Sequence, residues 1–131
     1  MPSFSSRSLA RLNTCDERLQ RVFLEVVRHV DCTILEGYRD EETQEEMVRQ
    51  GKSKVHWPDG NHNKVPSRAV DAAPYPIDWE DAGRFYMFAG YVLATANMMG
   101  IRLRLGADWD GDFTLKDQSF NDLPHFELAE E

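Results

Sequence analysis

Cysteine is scarce in this chain: its 131 residues hold two, Cys15 and Cys32. Neither forms a Cys-x-x-Cys pair or sits at ligand spacing from a histidine, which excludes a thiolate zinc site and a disulfide framework. Both read as small hydrophobes in a chain made in a reducing compartment. Long apolar runs are also missing, and no stretch approaches the roughly 18 apolar residues of a membrane span. The opening Met1-Pro2-Ser3-Phe4-Ser5-Ser6-Arg7 has neither the basic nor the apolar region of a secretory signal. The expectation is synthesis in the cytoplasm with no membrane insertion. Positive charge is in short supply as well: 15 Lys+Arg face 23 Asp+Glu, a formal net charge of -8 that opposes binding to a nucleic-acid backbone. No internal repeat or low-complexity tract is present.

The composition, 41% hydrophobic and 29% charged, suits a single soluble domain spanning 1–131 with no separate binding domain. A chain of this length buries roughly 68% of its unfolded surface and needs no disulfide staples. Thr14-Cys15-Asp16-Glu17 has the form of a capping box, and Leu19, Val22, Phe23, Val26, Val27 and Val30 follow at helical spacing. That pattern predicts an amphipathic helix over 15–30, with a shorter one before it, entered from Ser6 and carrying Leu9 and Leu12. The β-formers of 32–38 predict a strand that closes near Gly37. Asp40 is expected to cap a short polar helix over 41–50, which Gly51 stops.

Residues 52–66 show no periodicity, and a loop that long is more often functional than accidental. A short buried strand is expected over 69–74. A helix capped by Asp78, carrying Phe85, Phe88, Tyr91, Val92, Thr95, Met98 and Met99, should end at Gly100. Strands over 102–106 and 125–128 complete a small α+β domain with one mainly antiparallel sheet packed by helices.

Within the strand over 69–74, Val70 and Ala72 share a face, so Asp71 points the other way. His125 and Glu127 likewise point away from the face of Phe126 and Leu128. His62, nine residues before Asp71, lies in the irregular loop. Two histidines and one aspartate are a ligand set that zinc uses in open sites, with the fourth position left for water. By composition and spacing alone, a capped Asp71 and a hydrogen-bonded core His125 are the favoured reading over a metal site. His29, at the end of the long helix, reads as a cation near the helix C-terminus.

The wording around these residues carries a resemblance. Asn61-His62-Asn63-Lys64-Val65-Pro66-Ser67-Arg68-Ala69-Val70-Asp71-Ala72-Ala73-Pro74 resembles the zinc motif of the D-alanyl-D-alanine carboxypeptidase-like metallopeptidases. Asp122-Leu123-Pro124-His125-Phe126-Glu127-Leu128 is similar to that family's second motif, an acidic residue three before the last histidine ligand. Leu105-Gly106-Ala107-Asp108-Trp109 and Gly37-Tyr38-Arg39 resemble segments of its bacteriophage endolysin branch, the L-alanyl-D-glutamate endopeptidases. The matches run in the family's order over nearly the whole chain.

The resemblance implies a hedgehog/DD-peptidase-like fold, one zinc ion on His62, Asp71 and His125, and Asp122 as general base. His56 is the rival for the first ligand. A zinc-activated water would attack the peptide bond, and Asp122 would carry its proton to the leaving amine. The family carries an arginine at the place of Arg39, where a guanidinium binds the developing oxyanion or a substrate carboxylate. Gln44, about one helical turn on, offers either a substrate contact or a solvated helix face. Trp109 either lines the groove or packs. Asp108, Asp110 and Asp112 have the alternation of a calcium loop, but Gly111 stands at the fourth position and Ser119 replaces the bidentate glutamate. That excludes an EF-hand and leaves a looser Ca2+ site or a solvated acidic loop.

The implied function is a phage endolysin that hydrolyses the L-alanyl-D-glutamate bond of peptidoglycan stem peptides. It would be a monomer, made in the host cytoplasm and released by a holin or an equivalent. The alternatives are a D-alanyl-D-alanine dipeptidase or carboxypeptidase, and a non-catalytic zinc-containing binding module on the same fold. A purely structural zinc site needs neither Asp122 nor Arg39.

Overall fold

The structure is a computed structural model and describes residues 2–106 and 122–129. Four helices, α1 (Ser6–Leu12), α2 (Glu17–Val27), α3 (Glu41–Arg49) and α4 (Ala82–Met98), surround four strands, β1 (Cys32–Glu36), β2 (Ala69–Pro74), β3 (Leu103–Gly106) and β4 (Asp122–Leu128). The strands form one antiparallel sheet in the order β1-β2-β4-β3, so the two strands expected to carry the site lie side by side. This is the expected α+β architecture.

One face of the sheet makes the core. Leu19, Val22, Phe23 and Val26 of α2 and Phe88, Ala89 and Val92 of α4 pack with Val70, Ala72 and Phe126 of the sheet. Phe126 is the hub: its ring meets Phe23 edge-on at 5.5 Å and Phe88 at 6.1 Å between centroids, a favoured aromatic geometry. Both cysteines are free and buried, and burial pushes each thiol up to about 12, which keeps it inert.

The helix ends differ from the sequence expectation. The α2 cap is Asp16, whose carboxylate accepts from the Arg18 N–H at 2.9 Å. Thr14 instead donates its hydroxyl to the Arg11 carbonyl and accepts from the Tyr38 N–H, tying the α1–α2 corner to the chain leaving β1. Asp81 caps α4, and Asp78 accepts from the Glu80 N–H in the turn before it. These loops offer several carboxylates, and the one that meets an open N–H of the first turn becomes the cap. At the far end of α2, His29 pairs with Glu25 one turn back. β1 stops two residues short of the expected 38, and its register with β2 slips between Ile34 and Glu36.

Gly37 follows this slip in close contact with the α1 corner. A Cβ there would lie 2.3 Å from Thr14 Oγ1 and 2.5 Å from the Arg11 carbonyl oxygen, so no side chain fits.

Replacing the α2 cap, Asp16→Ala, should cost about 1 kcal/mol in a urea unfolding series at pH 7. The Arg18 guanidinium, bonded to both Asp16 oxygens, is the main cause holding that carboxyl below its ordinary range, and the cap bond from the Arg18 N–H adds to it. The difference between variant and parent should therefore be full above about pH 4 and shrink as pH falls through the lower folded value. An unchanged urea midpoint at pH 7 would contradict the assignment of the cap.

Candidate metal centre

Asp71 of β2 and His125 of β4 are direct cross-strand partners, and the strand alternation that sends Val70, Ala72 and Phe126 into the core turns both to the opposite face. His62 reaches the same point from a one-turn 3-10 helix, Asn61–Asn63. The backbone fixes that turn: the Arg39 N–H donates to the His62 carbonyl at 2.9 Å, and the Arg68 N–H to the Asn61 carbonyl at 2.9 Å. Asn63 closes it, donating to the Arg39 carbonyl and accepting from the Gly60 N–H. Farther along, Ser67 anchors the loop to the α1–α2 corner, its N–H donating to the Thr14 carbonyl and its carbonyl accepting from the Asp16 N–H.

His62 Nε2 lies 3.2 Å from Asp71 Oδ1, His125 Nδ1 lies 3.2 Å from the same oxygen, and the two nitrogens are 3.3 Å apart. The far nitrogens decide the protonation. His62 Nδ1 is 2.7 Å from the Gly37 carbonyl, which only accepts, so that nitrogen carries the proton and Nε2 keeps its lone pair. His125 Nε2 is 2.8 Å from the Glu127 carboxylate, and the same reasoning leaves a lone pair on Nδ1. With both rings neutral, two imidazoles and a carboxylate aim three lone pairs at one point. They repel one another unless a cation stands among them.

The residues fit a metal ion. Three ligands about 2.0–2.1 Å from a tetrahedral ion lie about 3.3–3.4 Å apart, close to the edges of this triangle. Both histidines are buried and Asp71 is partly exposed, which gives the group one open side. Where a proton takes the place of the ion, the imidazoles donate to Asp71: burial disfavours the ionised carboxyl, but the charge of His62 and hydrogen bonds from the two rings outweigh it and hold it far below its usual range. Burial also opposes the His125 imidazolium, yet Asp71 and Glu127 raise its pKa to about 9. A divalent ion competes with protons for these lone pairs.

Behind the triad lie two buried charge relays. Glu127, buried and brought down to about 2 by His125 and Arg104 against its own desolvation, accepts from Arg104 Nε at 3.0 Å and from its terminal nitrogen at 2.6 Å. Arg39 is buried as well, donating twice to Glu36 and once to Gln44 Oε1 at 3.0 Å, with a terminal nitrogen 3.7 Å from Asp71 Oδ2. A cavity of about 1090 Å³ opens over the triad.

A family model described as phage L-alanyl-D-glutamate peptidase matches residues 2–129. The chain belongs to that family. It is 30% identical over 117 residues to the L-alanyl-D-glutamate peptidase of Escherichia phage T5, covering 84% of this chain and 85% of the relative. Its fold is similar to the crystal structure of the Serratia marcescens L-Ala D-Glu endopeptidase ChiX, with a TM-score of 0.76 and 28% identity, covering 98% of this chain and 91% of that one. The endolysin branch of the resemblance is therefore borne out, and the protein is a peptidase.

In this peptidase the structure brings together His62, Asp71, His125 and Arg39. The rival His56 is exposed and pairs with Glu45 at 2.9 Å, away from the triad. Gln44 is not on a solvated face: it is buried, its oxygen held by Arg39 and Asn63 and its nitrogen by Ser53 and the Val55 carbonyl. Asp122 is the first residue of β4, and its side chain lies outside what is described, as do Trp109 and the Asp108, Asp110 and Asp112 group.

Sequence reasoning placed Glu127 on the site face without a role, though a carboxylate two residues from a strand histidine was the available signal. The Gly37 carbonyl and Glu36 carried no signal beyond their place at the end of β1. Glu127→Gln should weaken zinc affinity by about 10- to 100-fold, the usual effect of removing a partner behind a metal histidine. Competition with a chelating dye reads this directly, and an unchanged affinity would remove Glu127 from the centre.

Proposed function

We propose that zinc is the ion held by His62, Asp71 and His125, and that the peptidase uses it to cut the L-alanyl-D-glutamate bond of peptidoglycan stem peptides. The observation that carries this reading is the triangle of three lone pairs, 3.2 to 3.3 Å on each side, at the floor of the cavity. Two imidazole nitrogens and one carboxylate oxygen suit zinc, and three protein ligands leave a position free. When bound, the ion supplies Lewis acidity and lowers the pKa of water towards about 7.

The chain's own residues supply the rest. Asp122, three residues before His125 with Pro124 between them, takes the proton of the attacking water and passes it to the leaving D-glutamate amine. Arg39 uses three of its five N–H groups on Glu36 and Gln44, which leaves one on each terminal nitrogen for the oxyanion or a substrate carboxylate. Gln44 acts through Arg39, holding the guanidinium in place. Among the described residues no helix is long and apolar enough to cross a membrane. In this reading the enzyme acts on the wall as a monomer after a holin or an equivalent pore releases it.

Mass spectrometry of muropeptides should show a new amino group on D-glutamate, with L-alanine left on the muramyl sugar and chelator abolishing the reaction. Release of free D-alanine, or undiminished hydrolysis in chelator, would overturn the assignment. Asp122→Asn should keep its zinc and its thermal unfolding while turnover falls by roughly 10²- to 10⁴-fold. A variant with parental turnover would exclude Asp122 as the base, and one that loses its zinc would make it a ligand or a support for one.

A further inference from the structure

The lining of the cavity over the triad is chemically mixed. It includes the cations Arg39, Lys52 and Lys54, with Arg39 beside Asp71. It also includes the apolar Trp79, Phe85 and Leu123. Leu123 stands two residues before His125 on β4, and Trp79 and Phe85 lie beyond the end of β2.

Trp79 is the unusual member, since an indole 61% exposed costs apolar contact with water. Its ring stacks on the Phe85 ring at 5.3 Å between centroids and 20° between planes, and Phe85 is itself buried. One face of the indole is stacked on a fixed backing while most of the residue stays open beside the cavity it lines, which makes a flat platform. The exposed carboxylates of Asp78 and Glu80 flank it in the chain.

We propose that this platform is a subsite for a pyranose ring, the muramyl sugar that carries the stem peptide. The proposal rests on the L-alanyl-D-glutamate reading of the site. On the D-glutamate side of that bond the substrate bears a carboxylate, which belongs with the cationic side chains. On the other side it bears one uncharged alanine, then the lactyl ether, then the sugar ring, which begins roughly 7 Å from the reacting carbonyl, about two residue-lengths of extended chain. A sugar presents a face of C–H bonds to an aromatic ring and hydroxyl donors at its rim. An indole with acidic neighbours meets both demands and repels the anionic side of the substrate. The two groups of side chains therefore orient the stem peptide as well as bind it.

The test compares kcat/KM on two soluble substrates: a disaccharide-linked stem peptide, and the same peptide with an N-acetylated L-alanine and no sugar. The parent should prefer the sugar-bearing substrate through a lower KM. In Trp79→Ala the ratio of the two kcat/KM values should fall by about tenfold, the scale of one aromatic contact, and Trp79→Phe should restore most of it. A ratio unmoved in Trp79→Ala, or a parent that cleaves both equally, overturns the subsite and leaves the peptidase reading standing. A parent that cleaves neither overturns both. As a second readout, titrating the disaccharide alone should shift the indole N–H resonance that is missing in Trp79→Phe, and an unmoved signal counts against the subsite.

Discussion

Everything in the centre depends on two hydrogen bonds that point away from it. The Gly37 carbonyl takes the Nδ1 proton of His62, and the Glu127 carboxylate takes the Nε2 proton of His125. Each fixes a tautomer and a ring orientation at once. Without them either nitrogen of each ring could carry its single proton, and the inner ones would be free to donate to Asp71. With them each ring, when neutral, turns a bare nitrogen inward, so the site is built for a cation.

Buried charge is tolerated here because it is arranged in alternation. Arg104, Glu127 and His125 form one line of partners, and Arg39 joins Glu36 to Asp71 on the other side. Each charge taken from water finds an opposite charge and directed hydrogen bonds, which is the condition for burying ions at all. Arg104 and Glu127 are cross-strand partners of β3 and β4, so sheet register alone places that support.

Much of this was legible in the sequence because strand alternation and helical spacing are local. The alternation around Asp71 and around His125 placed both on one face, and the pairing of β2 with β4 made them neighbours. Helix existence was readable from apolar spacing, whereas the caps were not. Thr14, Asp16, Asp78 and Asp81 are all competent cap residues, and tertiary contacts choose among them. Gln44 was ambiguous for the same reason. Its helix is polar, and only the fold of the loop over 52–66 buries it. The Gly37 carbonyl left no trace in composition, since a backbone atom has no residue type.

The triad also joins parts of the chain that are far apart in sequence: Asp71 and His125 are separated by 54 residues, and His62 lies 63 from His125. An ion shared by the three closes both loops, a constraint that the two unpaired cysteines do not provide. The bound ion would be a removable crosslink in place of a covalent one. Such a clasp is indifferent to redox state and responds instead to the supply of metal and to the protons that compete for the same lone pairs.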